Sequence, residues 1–318
     1  QVARDTIIKK SLKSKVKIVK SFNGSLLFEP NTIKKKDGTP YRVFTPFFRR
    51  GCLENVMQPD LPSGDLPKIS LCNRANSTHS IDKFIKPEKW FEKFGGLWTP
   101  GEHGAKTRLE NFLENGIEGY QEGRNYPSLP KVSGLSPHLH FGEISVNRIW
   151  HSLRNRDKLG DNKDIDTFLT ELGWREFSHN LLFFNTSMPE DNLQKKFDNF
   201  PWNEDLTFLK TWQSGMTGFP IIDAGMRQLW QTGYMHNRLR MITASFLVKN
   251  LRIDWRLGQS WFWNCLFDAD LANNSAGWQW VAGCGADAAP FFRIFNPILQ
   301  SKKFDPRGVY IKQFVPEL

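Results

Sequence analysis

The sequence is poor in the features that mark secreted, membrane and zinc proteins. Its four cysteines, Cys52, Cys72, Cys265 and Cys284, form no CxxC pair and no Cys/His pattern suited to zinc. We interpret them as free thiols in a reducing compartment. No run of about 18 apolar residues is present, which excludes a transmembrane helix, and no signal peptide is visible. These absences predict a cytoplasmic protein.

Several catalytic motifs are also missing. The chain contains no GxSxG, GxxxxGK[ST] or HExxH, so the common hydrolase, nucleotide-phosphate and zinc-protease classes receive no support. Asp268 and Asp270 are two residues apart, and on a helix their side chains would diverge by about 200°. No histidine lies close to them in sequence. We therefore do not expect a metal site.

Acidic residues are outnumbered by basic ones. The 318 residues carry 43 Lys and Arg against 33 Asp and Glu, which gives a formal charge of +10 and a pI near 9.4. Such a balance serves solubility or contact with nucleic acid, and the charge alone leaves both open. Hydrophobic residues make up 39%, with 12 Trp and 26 Phe, which predicts a globular protein with a large aromatic core.

The pattern along the chain changes twice. Residues 1–30 predict a helix, a short strand (KVKIVKSF) and an edge strand or turn (SLLFEP), as at the end of a βαβ unit, and the chain does not begin with Met. We expect it to be truncated at the front. Residues 31–98 are rich in Pro, Gly, Asn and Lys with weak periodicity, which favours an interdomain connector wrapped on a surface. From residue 99 onward helical patterns dominate.

The segment 167–184 (TFLTELGWREFSHNLLFF) predicts a helix with polar groups on one face. Glu171, Trp174 and Arg175 lie at i, i+3 and i+4, so they share that face. A carboxylate beside an aromatic plate is unusual on a helix with a core-like sequence. The plainer alternative is an ion pair between Glu171 and Arg175 on a solvated face.

Two later segments carry further candidate groups. In 218–251, Asn237 and Met241 are at i, i+4 of a predicted helix, and His236 is best explained as a structural histidine. In 254–297, Asn274 and Trp278 are again at i, i+4. Small residues surround them, so a flat ligand could approach the backbone closely.

Long motifs resemble the DNA photolyase and cryptochrome family, most closely its class I cyclobutane pyrimidine dimer photolyases. They are WREF at 174–177, TGFPIIDAGMRQL, GYMHNRLRMITASFLVKNL, DADLANNSAGWQW, GADAAPFFRIFNP and VSGLSPHLHFGEIS at 132–145, with VFTPFFRR at 43–50 similar to the linker. The resemblance implies a mainly α protein. Residues 99–318 would form a large helical FAD-binding domain, 31–98 the interdomain linker, and 1–30 the tail of an α/β, Rossmann-like antenna domain. The intact protein would carry a folate or deazaflavin antenna pigment, whose site is mostly missing here.

The resemblance also assigns FAD contacts. Asn274 would face flavin N5, and Arg240 and Asp268 would form an ion pair below the ring. A Ser-rich turn before a helix suits the FAD phosphates, because free N–H groups and the helix dipole face the anion. Val132 and Gly134 depart from the family, which often has a hydroxyl and a larger residue there, so backbone groups and Ser136 are expected to bind the phosphates. The full set is Tyr120, Val132, Ser133, Gly134, Leu135, Ser136, Phe168, Arg175, Arg240, Asp268, Ala269, Asp270 and Asn274.

Three further sets follow from the resemblance. A pyrimidine dimer must be flipped out of the duplex to be reached, and the wall of its pocket would be Glu171, Trp174, Asn237, Met241 and Trp280. An electron-hopping chain that photoreduces the flavin would be Trp202, Trp255 and Trp278, for which core packing is the alternative. Phosphates flanking the lesion would be held, without sequence readout, by Arg124, Arg238, Arg293 and Lys303.

The expected function is light-driven repair of cyclobutane dimers in UV-damaged DNA by a monomer, with the electron supplied by reduced FAD. Glu171, if protonated or sharing a proton, would hydrogen-bond a carbonyl of the dimer as negative charge develops there. Asn237 and Met241 cannot deliver a proton, and His236 would point about 100° away along the helix, so no repair of (6-4) products is expected. The rival is a cryptochrome photoreceptor, in which the residue at Asn274 is commonly replaced. A basic helical DNA-binding module without flavin is the third possibility.

Overall fold

The protein is built from helices. The structure, a computed structural model, describes residues 2–20, 23–55, 89–157, 160–288 and 294–318, and no strand occurs among them. The α-helices are α1 Val2–Lys13, α2 Phe44–Pro46, α3 Gly101–Asn111, α4 Tyr120–Gly123, α5 Ser136–His140, α6 Val146–Arg154, α7 Lys163–Phe184, α8 Leu206–Gln213, α9 Pro220–Thr232, α10 Asn237–Ser245, α11 Trp255–Cys265, α12 Leu271–Ala282, α13 Pro297–Phe304 and α14 Val309–Phe314. The π-helices are Phe47–Cys52, Phe112–Gly116 and Phe246–Asn250, and the 3₁₀ helices are Pro30–Thr32, Lys89–Phe94 and Lys195–Phe197.

Helix α7 confirms the helix predicted for 167–184 and extends it at its start. The side chain of Asn162 caps it by accepting hydrogen bonds from the backbone N–H groups of Asp164 (3.0 Å) and Ile165 (3.1 Å). Apolar residues recur at helical spacing along it, and Leu169 and Phe177 are almost fully buried. Burial of this stripe, more than helix propensity, stabilises so long a helix.

Two hydrophobic clusters form the core. The N-terminal cluster contains buried residues between Ile33 and Met188, including the apolar stripe of α7. The C-terminal cluster contains buried residues between Leu209 and Val315, from α8 to α14. Trp212 and Trp255 are both fully buried in it. The abundance of aromatic residues is therefore explained mostly by core packing.

The first part of the predicted linker lies inside the N-terminal cluster. Phe44, Phe47 and Cys52 are buried, and the Phe47 ring lies 5.1 Å from the Phe177 ring of α7. This part of the chain is not wrapped on a surface, because its aromatic residues complete the apolar face of α7. The domain boundaries at residues 30 and 98 stay predictions.

The strand predicted for KVKIVKSF is wrong over residues 15–20, which have no regular structure. Val16 and Ile18 are 47% and 69% exposed. A strand needs a neighbour that accepts its backbone hydrogen bonds and covers its apolar face. No strand in the described ranges provides either.

Helices α11 and α12 pack closely because of a glycine. A Cβ atom at Gly258 would lie 2.1 Å from Cη2 of Trp278. The indole of Trp278 therefore rests directly on the backbone of α11, with the Phe262 ring centre 5.0 Å from its own. This contact fixes α12, and with it the polar groups that α12 carries.

Candidate functional site

A cavity of about 680 Å³ lies where the two hydrophobic clusters meet. Its volume is in the range of pockets that hold nucleotide-sized ligands. All residues predicted to contact lesion or cofactor line it: Tyr120, Val132, Ser133, Gly134, Leu135, Ser136, Phe168, Glu171, Trp174, Arg175, Asn237, Arg240, Met241, Asp268, Ala269, Asp270, Asn274 and Trp280. The structure thus brings together side chains that are up to 160 positions apart in sequence. Their individual roles remain predictions.

On α7, the polar groups pair differently from the ion pair considered in the sequence. Glu171 accepts a short hydrogen bond from Arg124. Arg175 instead donates from its guanidinium to Glu176, at 3.1 Å. The interpretation of Glu171 and Arg175 as a solvated ion pair is therefore wrong, because each pairs with a different residue.

Trp174 is one of two predicted aromatic plates. Its ring stacks on Phe44, with centroids 3.7 Å apart and an interplanar angle of 8°. One face is therefore covered by Phe44, and a ligand in the cavity would have to stack on the other face. The second plate, Trp280, is partly buried against the C-terminal cluster. The two plates thus belong to different halves of the core.

Helix α10 begins directly after His236. The Nδ1 atom of His236 accepts a hydrogen bond from the backbone N–H of Arg238 (3.2 Å), so His236 is the N-cap. Because His236 precedes the helix, the expectation that its side chain points about 100° away from Asn237 around the helix axis does not apply. Burial is the main cause that lowers the pKa of His236, to about 4, and Arg238, Arg240 and Arg124 lower it further. The structural role predicted for this histidine is consistent with its 3% exposure.

The first two turns of α10 present four residues to the cavity. They are Asn237, Arg238, Arg240 and Met241. One guanidinium nitrogen of Arg240, Nη2, lies 3.0 and 2.8 Å from the two carboxylate oxygens of Asp268, which makes a charge-assisted contact. Arg238 bonds to Asn125 and lies over the Phe304 ring, 4.4 Å from its centroid.

Asp268 and Asp270 do not lie on a helix. Asp270 is the N-cap of α12, and its Oδ1 accepts from the Asn273 backbone N–H (2.8 Å) and side-chain amide (2.6 Å). The Nε2 atom of His179 is 3.4 Å from the same oxygen. In the described part of the chain, no cluster of three or more His, Cys, Asp or Glu is arranged to hold a metal ion.

Asn274 and Gly277 shape the α12 side of the cavity. The Asn274 amide donates to the backbone oxygen of Gln259 (3.0 Å), which orients its Oδ1 away from that bond. A Cβ atom at Gly277 would meet nothing within 4 Å, although this residue lines the cavity. The small side chains noted in the sequence therefore leave open space beside Asn274.

The predicted phosphate loop runs from Val132 to Ser136 along another side of the cavity. Gly134 has φ +61°, a conformation that favours glycine, and Ser133 Oγ accepts from the Leu135 backbone N–H at 3.3 Å. The Tyr120 ring packs 5.3 Å from Phe168, and burial raises the pKa of its hydroxyl. Ser133 and Ser136 of this loop line the same cavity as the arginines of α7 and α10.

Three residues at or next to the cavity are absent from the predicted set. His179 is four positions after Arg175 and Asn273 is three after Asp270, so helical spacing could have found both. Arg108 gives no such signal. Its Nη1 lies 2.6 Å from the position of a Cβ at Gly134, and its guanidinium carbon lies 4.9 Å from the ring centroid of Trp98.

The three predicted electron-transfer tryptophans lie at different depths. Trp278 lines the cavity and is 3% exposed. Trp255 is fully buried and donates to Asn192 at 3.0 Å, whereas Trp202 is partly buried beside Phe200. Neither Trp202 nor Trp255 lines the cavity.

The predicted DNA-binding residues divide in the same way. Arg124 and Arg238 line the cavity, whereas Lys303 is exposed, with Nζ 5.3 Å from the Phe304 ring. Arg293 lies outside the described residues. Cations are therefore present both in the cavity wall and beyond it on α13.

Comparison with known proteins decides the family. Residues 168–318 match the family model for the FAD binding domain of DNA photolyase, and residues 1–65 match the DNA photolyase model. The chain belongs to the DNA photolyase and cryptochrome family. A deoxyribodipyrimidine photo-lyase of Agrobacterium fabrum is 49% identical over all of this chain and 66% of its own length. Cryptochrome-1 of Arabidopsis thaliana is 34% identical over all of this chain and 48% of its own length.

Solved photolyases have the same architecture. A class III photolyase from Agrobacterium tumefaciens superposes with a TM-score of 0.89 at 47% identity, over 99% of this chain and 66% of that one. An archaeal photolyase from Sulfolobus tokodaii gives 0.79 at 32% identity, over 100% of this chain and 67% of that one. The chain thus spans about two thirds of the photolyases it matches. The predicted mainly helical fold is confirmed, and the assignment to class I stays a prediction.

Among the described residues, no helix is both long and apolar enough to cross a membrane. The three described cysteines, Cys52, Cys265 and Cys284, are buried and free. Cys72 is outside the described residues.

Proposed function

We propose that this protein binds FAD and repairs cyclobutane pyrimidine dimers in DNA in a light-dependent reaction. One observation carries the proposal: the residues predicted for the lesion and those predicted for the flavin line a single cavity. On α10, lesion-side Asn237 and Met241 alternate with Arg240, which holds flavin-side Asp268. A substrate in contact with the first pair would lie next to a cofactor in contact with the second.

The residues present fit FAD. The volume of about 680 Å³ suits a large cofactor, the open space at Gly277 allows a flat ring to approach the backbone, and the hydroxyls of Ser133 and Ser136 can bind phosphate. Arg175 adds a cation to the same wall. Reduced FAD, when bound and excited by light, supplies one electron to the dimer and takes it back. The protein supplies placement and electrostatics. Trp278, Trp255 and Trp202 are proposed to serve photoreduction.

The lesion side requires a flat surface with polar groups at its edge, against which the two linked pyrimidines of an extruded dimer can pack. Trp174 offers one face, since Phe44 covers the other. Glu171 and Asn237 offer polar groups for the carbonyl and N–H edges of the pyrimidines. Arg124 can bind a backbone phosphate while it stays paired with Glu171, because a guanidinium has five N–H donors. The overall charge of +10 favours DNA as the partner.

The experiment uses the purified chain with its flavin reduced and oligonucleotides that carry one defined lesion each. We expect restoration of the cyclobutane dimer under blue light, no restoration in the dark, and no restoration of the (6-4) product. The last expectation follows because neither Asn237 nor Met241 has an acidic proton to transfer near neutral pH. His236 is a buried N-cap residue that does not line the cavity. Chromatography of the products measures all three. Restoration of the (6-4) product would contradict the lesion assignment.

A photoreceptor function is the alternative, since cryptochromes at 34% identity match the whole chain. Bound flavin that undergoes photoreduction, with no repair of either lesion, would favour it. A chain that binds DNA but no flavin would favour the plain DNA-binding module. A monomeric protein in the cytoplasm remains part of the repair proposal and is tested by sedimentation and by fractionation.

A further inference from the structure

Glu176 is a buried carboxylate next to the site that the proposed reaction does not use. It is 4% exposed and does not line the cavity. Its Oε2 accepts hydrogen bonds from the backbone N–H groups of Leu27 (2.9 Å) and Phe28 (3.4 Å), and its Oε1 accepts from Arg175 (3.1 Å). One carboxylate thus joins a segment near the start of the chain to an arginine in the cavity wall.

Arg175 depends on this carboxylate. Its side chain is 14% exposed, and Glu176 is its ion-pair partner among the residues that the structure describes. Glu171, the other acid on α7 near the cavity, is occupied by Arg124. Arg175 has many rotamers in a helix, and a buried guanidinium without a partner is costly. The position of the Arg175 guanidinium at the cavity is therefore fixed by its contact with Glu176, which lies outside the cavity wall.

Resting on the proposed FAD binding, we propose that Glu176 is a positioning residue: it holds the Arg175 guanidinium at the cofactor cavity and couples it to the backbone of residues 27–28. The segment before the helical domain then has a direct effect on cofactor binding. Phe44, which stacks on Trp174, is a second contact from the same part of the chain to α7.

The charge of Glu176 is sensitive to conditions near neutrality. Burial raises the pKa of Glu176 to about 7, while Arg175 and the amides of Leu27 and Phe28 oppose the increase. Among the residues that the structure describes, the Cys52 thiol also faces it, and the pKa of that thiol is raised by burial and by Glu176. When the pH falls through 7, Glu176 gains a proton and Arg175 loses its charged partner. FAD affinity is expected to fall with it.

The experiment compares Glu176→Gln with Asn180→Leu, in the full chain stripped of flavin. Asn180 is a matched control: it is also buried on α7 and also ties the N-terminal segment, but its amide donates to the backbone oxygens of Pro30 (2.9 Å) and Ile33 (3.4 Å) and not to a group in the cavity wall. FAD dissociation constants are measured between pH 6 and 9, with thermal unfolding of the flavin-free proteins. For Glu176→Gln we expect about tenfold weaker FAD binding at pH 8, as for one lost charge-assisted hydrogen bond, and loss of the pH dependence near 7.

Asn180→Leu is expected to lower the unfolding temperature while FAD affinity stays within about twofold. Equal loss of affinity in both variants would show a general structural role and overturn the proposal, as would unchanged affinity in Glu176→Gln. A double-mutant cycle of Glu176→Gln with Arg175→Gln on flavin-free unfolding is independent of FAD. Coupling in this cycle without FAD binding by the wild type would contradict the proposed function and support the pairing; absence of coupling would overturn the positioning role.

Discussion

Helices α7 and α10 both line the cavity, and they differ in whether a buried titratable group keeps its charge. On α7, burial raises the pKa of an acid, Glu176, to about 7. At the start of α10, burial lowers the pKa of a base, His236, to about 4. Between these values the neutral form of each is favoured. Arg240 behaves differently, because Asp268 more than offsets the effect of burial and the pKa of Arg240 is raised.

The difference shows which charges the site retains. A buried group stays ionised where an opposite charge in direct contact outweighs the effect of burial, and otherwise tends toward neutrality. Arg240 and Asp268 are therefore the fixed charges of the α10 side. On the α7 side, the charge of Glu176 changes with pH near neutrality.

The largest effect should come from removing one member of the fixed pair. Asp268→Asn leaves the Arg240 guanidinium without a charged partner while its shape is retained, and we expect a loss of about 3–5 kcal/mol in unfolding free energy. FAD binding should fail as well. Urea unfolding of the flavin-free protein, followed by circular dichroism, measures the first effect.

The control for this variant is Glu110→Gln. Glu110 pairs with Lys106 at 3.8 Å on the exposed face of α3, where both side chains are more than half exposed. A change below about 0.5 kcal/mol is expected there. Similar losses in the two variants would contradict the view that the Arg240 pair is special.

An intermediate effect is expected on the α7 side from Phe44→Leu. This change removes the ring that backs Trp174 but keeps an apolar side chain of similar size at a position 6% exposed. Loss of stacking and of packing should cost about 1–2 kcal/mol. Lesion binding should weaken because Trp174 loses its support. Phe208→Leu on α8, at a site 44% exposed, is the matched control and should change stability by less than about 0.5 kcal/mol.

The sequence could predict what is encoded locally. Helical spacing correctly placed Glu171, Trp174 and Arg175 on one helix and Asn237 and Met241 on another. These patterns depend on residues three or four positions apart. The family motifs, each continuous in sequence, led to residues that line one cavity.

Contacts between distant segments could not be predicted in this way. Arg124 and Glu171 are 47 positions apart, and Leu27 and Glu176 are 149 apart. Helical spacing suggested the wrong partner for Glu171, because the closer partner in sequence is not the closer one in space. The strand expected for 15–22 was wrong over residues 15–20 for a related reason: β propensity says nothing about whether a neighbouring strand is present.

The smallest effect concerns His236 and appears only as a pH dependence. The ring accepts the Arg238 N–H through Nδ1, so a proton on that nitrogen would abolish the cap as well as place a charge beside three arginines. Because the pKa of His236 is lowered from its usual 6.5 to about 4, the unfolded chain binds this proton more readily. Stability should therefore fall as the pH drops from about 7, by about 1 kcal/mol at pH 5.5 for this group alone.

His236→Asn keeps a side-chain cap without a titrating group. The gap between wild type and His236→Asn should change by that amount between the two pH values in urea unfolding. If the difference in unfolding free energy between wild type and His236→Asn stays constant with pH, the pKa of His236 is not lowered by folding. The cap of α10 would then be insensitive to protonation of this ring.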